Sequence, residues 1–142
     1  MPGFLGALFF GPAYGALIGA FGHLATAITS GFPLTLPVHF IIMITMAATM
    51  AIFGIIYKKF NNDYTFSLAG AIIAGLVAVI MNGPVSLLVL TPLLLPIMGV
   101  AGILNILPLL VIAATLNIVF ALGVYRLVAS KIHLEHFNNK QL

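Results

Sequence analysis

The residues able to do chemistry are few, and they sit in otherwise apolar sequence: His23, Ser30, Thr35, His39, Asn82, Thr91, Asn105 and Asn117. All are neutral hydrogen-bonding groups. Across residues 1–57 and 64–125 there is no Asp, Glu, Lys, Arg or Cys. That set excludes paired-carboxylate catalysis, a thiolate nucleophile, an HExxH zinc site and a phosphate-cradling P-loop. His23 and His39 have no carboxylate or thiol companion there, so neither a metal nor a cofactor is expected. A proton-coupled carrier would use a buried carboxylate, and a channel a filter or a charged ring. What these residues can do is recognise, through hydrogen bonds, a small polar molecule. No enzyme activity is expected.

Composition says where they do it. Of 142 residues, 63% are hydrophobic and 5% charged, with mean hydropathy +1.27. A soluble domain carries about 25% charged residues. This chain cannot cover its surface with polar groups and needs lipid as solvent. The net charge of +3 comes from short polar segments. It speaks for membrane orientation, not for nucleic-acid binding. There is no cysteine, hence no disulfide. No basic n-region precedes the first apolar segment, so a cleaved signal peptide is not expected.

The elements that must position the polar groups follow from apolar runs and breakers. The expected class is all-α, a polytopic transmembrane bundle. Helices are expected at about 2–10, 12–30, 38–57, 66–81 and 106–130 of a single domain, 1–142. Gly11-Pro12 separates the first two, and Gly31-Phe32-Pro33 ends the second. The string NGP at 82–84 ends the fourth. Residues 83–105 carry Pro84, Pro92, Pro96, Gly99 and Gly102. They are expected to be an irregular, re-entrant or partly embedded excursion, with Pro108 in the first turn of the last helix.

Orientation follows from the basic residues. Lys58, Lys59, Arg126, Lys131 and Lys140 belong on the cytoplasmic side, so an even number of crossings separates the two groups. The C-terminus is then cytoplasmic, in a multi-pass protein of the cell membrane. His23, Ser30, Thr35, His39, Asn82 and Asn105 converge on the outer side, where a ligand would meet them. Each has an ordinary alternative, as helix-to-helix hydrogen bond, interfacial residue or helix terminator. The chain is expected to lack one helix before Met1, because the short first run descends from the outer side.

Gly11, Gly15 and Gly19 recur at spacing four, as do Ala16 and Ala20. Such rows let helices approach closely. They serve either packing within the chain or docking to a partner membrane subunit.

The strings FFGPAYGALIGAFGHL at 9–24 and SGFPLTLPVH at 30–39, with NGP at 82–84 and TLNIVFALGVYR at 115–126, resemble the substrate-binding S components of energy-coupling factor vitamin transporters. The resemblance covers nearly the whole chain. It implies six helices, one of them short, of which five are present here. It implies outer loops that close over a vitamin or vitamin precursor. It also implies partners: a transmembrane coupling subunit and two ATPase subunits. The segment GHLATAITSGFPLTLPVHF is most similar to the branch proposed to import α-ribazole, a cobamide precursor. Gly22, His23, Ser30, Phe32, Pro33 and His39 are the residues it carries over, with Phe32 stacking on an aromatic ligand. The competing reading is a non-transport membrane scaffold or assembly subunit that packs through its glycine rows.

Overall fold

The computed structural model describes residues 1–60 and 67–138, with side chains as far as Ser130. Its elements are helices α1 (Pro2–Phe10), α2 (Pro12–Thr29), α3 (Leu36–Phe60), α4 (Leu68–Ile80) and α5 (Ser86–Asn138). A π-helical turn, Met81–Val85, joins α4 to α5. The all-α class is therefore as expected. Asp63 and Lys140 lie outside the described residues.

The core mixes large and small side chains: Phe4, Phe53 and Met50 are buried together with Ala74, Ala78 and Ala121. Many other large apolar residues, Leu88, Phe10 and Leu127 among them, face outward, as lipid solvation allows. Leu36–Phe60 and 68–130 are both long and apolar enough to cross a membrane, with mean hydropathies of 2.3 and 2.4.

Three close approaches set the N-terminal half. Gly11, at φ +100°, turns α1 back along α2. A Cβ on Gly15 would lie 2.5 Å from Ala7 Cβ and 2.8 Å from its Cα. A Cβ on Gly19 would lie 2.8 Å from Met50 Cγ, and one on Gly54 3.0 Å from Pro12 Cα. Glycine is thus required where α1 meets α2 and where α2 meets α3. The row containing Gly11, Gly15 and Gly19 is used inside the chain. At one end of the bundle aromatic rings tie these helices to α5. Phe4 meets Phe53 edge-on at 4.9 Å, and Tyr125 takes both Phe9 at 5.1 Å and Tyr57 at 5.8 Å.

The C-terminal half departs from the expectation. Residues 83–105 are helical, not irregular, apart from one break. NGP does not end its helix. Proline lacks an N–H and crowds the preceding turn, and the wider π turn over 81–85 absorbs Pro84 without ending the helix. Pro92 and Pro96 lie inside α5. Their spacing of four leaves the N–H missing from Pro96 opposite the carbonyl of Pro92, so one face of the helix concentrates the lost bonds. The helix stops only at Gly99, with φ +66° and ψ 178°, a conformation that favours glycine. The next limb starts at 100, so Pro108 lies in its interior and not in a first turn.

Residues 68–98 and 100–138 thus form two antiparallel arms. The side chain of Val111 packs at Gly83 and that of Ile118 at Gly75. The first arm, 31 residues long, spans about 46 Å at 1.5 Å per residue, against about 30 Å of hydrocarbon. Its far end meets the start of α3, where Val38, Leu87, Leu90, Leu94 and Ile103 form one buried cluster. This end of the bundle, with the 30–35 connection and the Gly99 break, is called the loop end below. The opposite end carries Lys58, Lys59 and Arg126 and is the basic end.

Substituting Gly15→Leu is expected to destabilise the fold by about 1–3 kcal/mol, the usual cost of overpacking. Gly123→Ala, whose Cβ enters open space, is expected to be neutral or up to about 1 kcal/mol stabilising by helix propensity. Unfolding of the purified protein in detergent measures both.

Candidate functional site

The loop end is built by two caps. Helix α2 closes with a Schellman motif. Gly31 N–H donates to Ile28 O at 3.1 Å and Phe32 N–H to Ala27 O at 2.9 Å, with Gly31 at φ +72°. Phe32 follows at φ +51°, the one non-glycine residue with positive φ among the described residues. Proline at 33 already restricts the residue before it, so Phe32 is held in a strained conformation of the kind that clusters at ligand sites. Helix α3 then opens at Thr35. Its carbonyl accepts from His39 N–H at 3.1 Å, and its hydroxyl oxygen takes a long 3.5 Å contact from Val38 N–H. This is the capping chemistry that the run TLPV encodes, with Pro37 in the first turn.

The two caps bring His23, Phe32 and His39 together. His23 Nε2 and His39 Nδ1 are 3.2 Å apart, one donating and the other accepting according to tautomer. The rings are stacked, with centroids 5.4 Å apart and planes at 28°. Phe32 meets the other side of the cluster, its ring edge-on to His39 at 5.6 Å. His39 is 7% exposed, and its second ring nitrogen, Nε2, is buried without a hydrogen-bond partner. A buried polar atom left this way costs about 1–3 kcal/mol.

Ser30 and Thr35 sit exposed at the rim. Asn82 and Asn105 are not part of this cluster. Asn82 lies in the π turn, half-buried, because the helix runs on past it. Ser86, one helical turn further on, bonds Thr45, which is six residues down α3 from His39. Those offsets put Asn82 about 15 Å deeper than His39. Asn105 is exposed on the second arm. Neither asparagine makes a side-chain hydrogen bond within the described residues. Thr91 bonds back to Leu87 O at 2.9 Å.

One polar group escaped the sequence reading. Ser86 donates to Thr45 Oγ1 at 2.7 Å, and Thr49 donates to Thr45 O at 2.8 Å. Ser86 and Thr49 are buried, so this hydroxyl chain fastens α5 to α3 beneath the histidines. The signal was the Thr45/Thr49 spacing of four and the serine directly after the NGP turn. Hydroxyls inside apolar runs are the residues that join helices.

The arrangement can hydrogen-bond and stack against a small molecule. Among the described residues there is no group of three or more His, Cys, Asp or Glu side chains able to hold a metal. The family model described as "ECF transporter, substrate-specific component" matches residues 1–130. The chain belongs to that family. This S component is therefore a membrane protein whose family supplies the substrate-specific part of ECF transporters. No curated protein and no solved structure matches the chain. Its histidine pair lies within the matched region.

Because His23 and His39 form one hydrogen-bonded unit, the two single removals together are expected to cost more than the double removal. His23→Leu leaves His39 Nδ1 unpaired in a buried position, whereas the double leucine variant leaves nothing polar behind. A double-mutant cycle on unfolding free energy is expected to show a coupling of about 0.5–1.5 kcal/mol. Strict additivity would mean the nitrogens are not bonded.

Proposed function

We propose that this S component captures a vitamin or vitamin precursor from outside the cell, with α-ribazole as the best candidate, for import by an ECF-type ABC transporter. The observation that carries the reading is His39 Nε2. It is a buried hydrogen-bonding atom without a partner, next to a second histidine and an aromatic ring. A ligand that pairs with this nitrogen removes its desolvation cost. The tautomer of the pair decides which way the bond runs. If His39 Nδ1–H donates to His23, Nε2 accepts a proton donor from the ligand. If His23 Nε2–H donates, Nε2 carries the proton and takes an acceptor. A flat heteroaromatic ligand supplies either group in its ring plane while its face covers Phe32.

In this reading His23, Phe32 and His39 make the central contacts, and Ser30 and Thr35 hold the polar rim. Asn82, about 15 Å deeper, and Asn105, exposed on the second arm, stand outside these contacts. The 30–35 connection closes over the ligand and excludes water, which strengthens each hydrogen bond. The S component then docks on a transmembrane coupling subunit driven by two ATPase subunits, and the site is presented to the cytoplasm. The basic end, with Lys58, Lys59 and Arg126, faces the cytoplasm in a multi-pass arrangement with a cytoplasmic C-terminus. The scaffold reading is weaker, because Gly15 and Gly19 are occupied by Ala7 and Met50 of the same chain.

Thermal unfolding of the detergent-purified protein against a panel of vitamins and precursors, α-ribazole included, tests this. A true ligand at 100 times its Kd is expected to add about 2.7 kcal/mol, and His39→Ala to abolish the shift. If well-folded protein responds to no compound, the capture reading is wrong and the scaffold reading returns.

A further inference from the structure

A second feature lies at the opposite end of the molecule. Between residues 68–79 of α4 and 115–126 of α5 runs an open groove of about 440 Å³. None of the residues assigned above to the substrate lines it. Its walls are apolar and outward-facing: Ile72 and Leu76 on one side, Val119 on the other, all exposed. Thr115 adds no free polarity, since its hydroxyl donates to Val111 O at 2.8 Å. Among the described residues the one charged side chain on the groove is Arg126, at the basic end.

Length and the charge at one end point to the occupant. Each wall covers about 16 Å at 1.5 Å per residue, which matches the roughly 15 Å half-thickness of a bilayer's hydrocarbon. The groove is thus one leaflet deep and ends at a guanidinium. A single extended hydrocarbon chain can lie along an apolar groove of this length. Arginine at the interface end is the side chain best suited to a phosphate, by charge and by its planar fork of donors.

We propose that the α4–α5 groove is a binding site for one anionic phospholipid, an acyl chain lying along the groove and the headgroup phosphate on Arg126. The lipid fills the seam between the two arms at the end away from the substrate site. Gly123 gives a direct probe. It lines the groove and its Cβ would enter open space, so a larger side chain there competes with an occupant for the groove.

The test uses full-length protein in vesicles of phosphatidylcholine with one-fifth phosphatidylglycerol. It is then extracted in mild detergent, and the lipids retained per protein are counted by native mass spectrometry. Wild type is expected to retain one phosphatidylglycerol, enriched at least fivefold over its share of the vesicle. Gly123→Leu is expected to lose it. Arg126→Gln, a change at an exposed side chain, is expected to keep one lipid with no headgroup preference. Thermal unfolding in detergent verifies that each variant is folded, and Arg126→Gln decides the matter if Gly123→Leu is not. Equal retention and equal headgroup preference in wild type and Arg126→Gln would overturn the proposal. So would a protein helix, in place of a lipid, captured by a photo-cross-linker at position 123 in intact membranes.

Discussion

The structure depends on how closely backbones can approach where glycine leaves out a side chain. α2 is held on one side by α1 through Gly15 and Ala7, and on the other by α3 through Gly19 and Met50. In lipid there is no hydrophobic drive between apolar helices, so contact distance carries the association. The same spacing, continued one turn beyond Gly19, brings His23 within 3.2 Å of His39. A bulkier residue at either glycine would separate the helices at depth and pull the histidines apart at the loop end. Packing and recognition are in this sense one arrangement.

The second organising feature is the treatment of proline. Four prolines follow residue 81, and all of them, Pro84, Pro92, Pro96 and Pro108, lie inside helical backbone. A π turn absorbs Pro84, and burial of Leu87, Leu90 and Leu94 against Val38 and Ile103 holds the next stretch helical. Only Gly99 breaks the line, since it alone there adopts positive φ. The result is a long hairpin whose tip reaches the loop end and whose Ser86 is fastened to Thr45. The loop end therefore combines a strained connection at Phe32 with a helical arm that braces α3 directly beneath the histidine pair.

These features divide the molecule into two ends with different chemistry. At the loop end, uncharged hydrogen-bonding groups meet aromatic rings in a buried setting, which suits selective capture of a small molecule. At the basic end, an aromatic cluster around Tyr57 and Tyr125 locks α1, α3 and α5, and an open apolar groove runs beside it. The membrane family to which the chain belongs accounts for the need for both: a substrate-specific surface and a body solvated by the bilayer.

Composition and hydrophobic run length by themselves determined the all-α membrane class, because no other solvent suits 63% hydrophobic residues with 5% charge. Glycine and proline also marked the turns that bound α1 and α2, where caps are local: Gly11 and Gly31 act on backbone groups within four residues. Helix α3 starts at Leu36, before Pro37, and runs to Phe60, longer at both ends than the expected 38–57. His23 and His39 were legible as candidates because a polar side chain in hydrocarbon is rare. Only the tertiary structure decided the rest. Proline in a helix is tolerated or not according to what packs around it, so 83–105 read as a broken excursion and folds as helix. Asn82 lost its place beside the histidines for the same reason, since its level depends on whether the helix stops there. The pairing of His23 with His39, the burial that leaves Nε2 without a partner and the tie from Ser86 to Thr45 all join residues 16 or 41 positions apart. Such distances are set by helix packing, which no local pattern in the chain encodes.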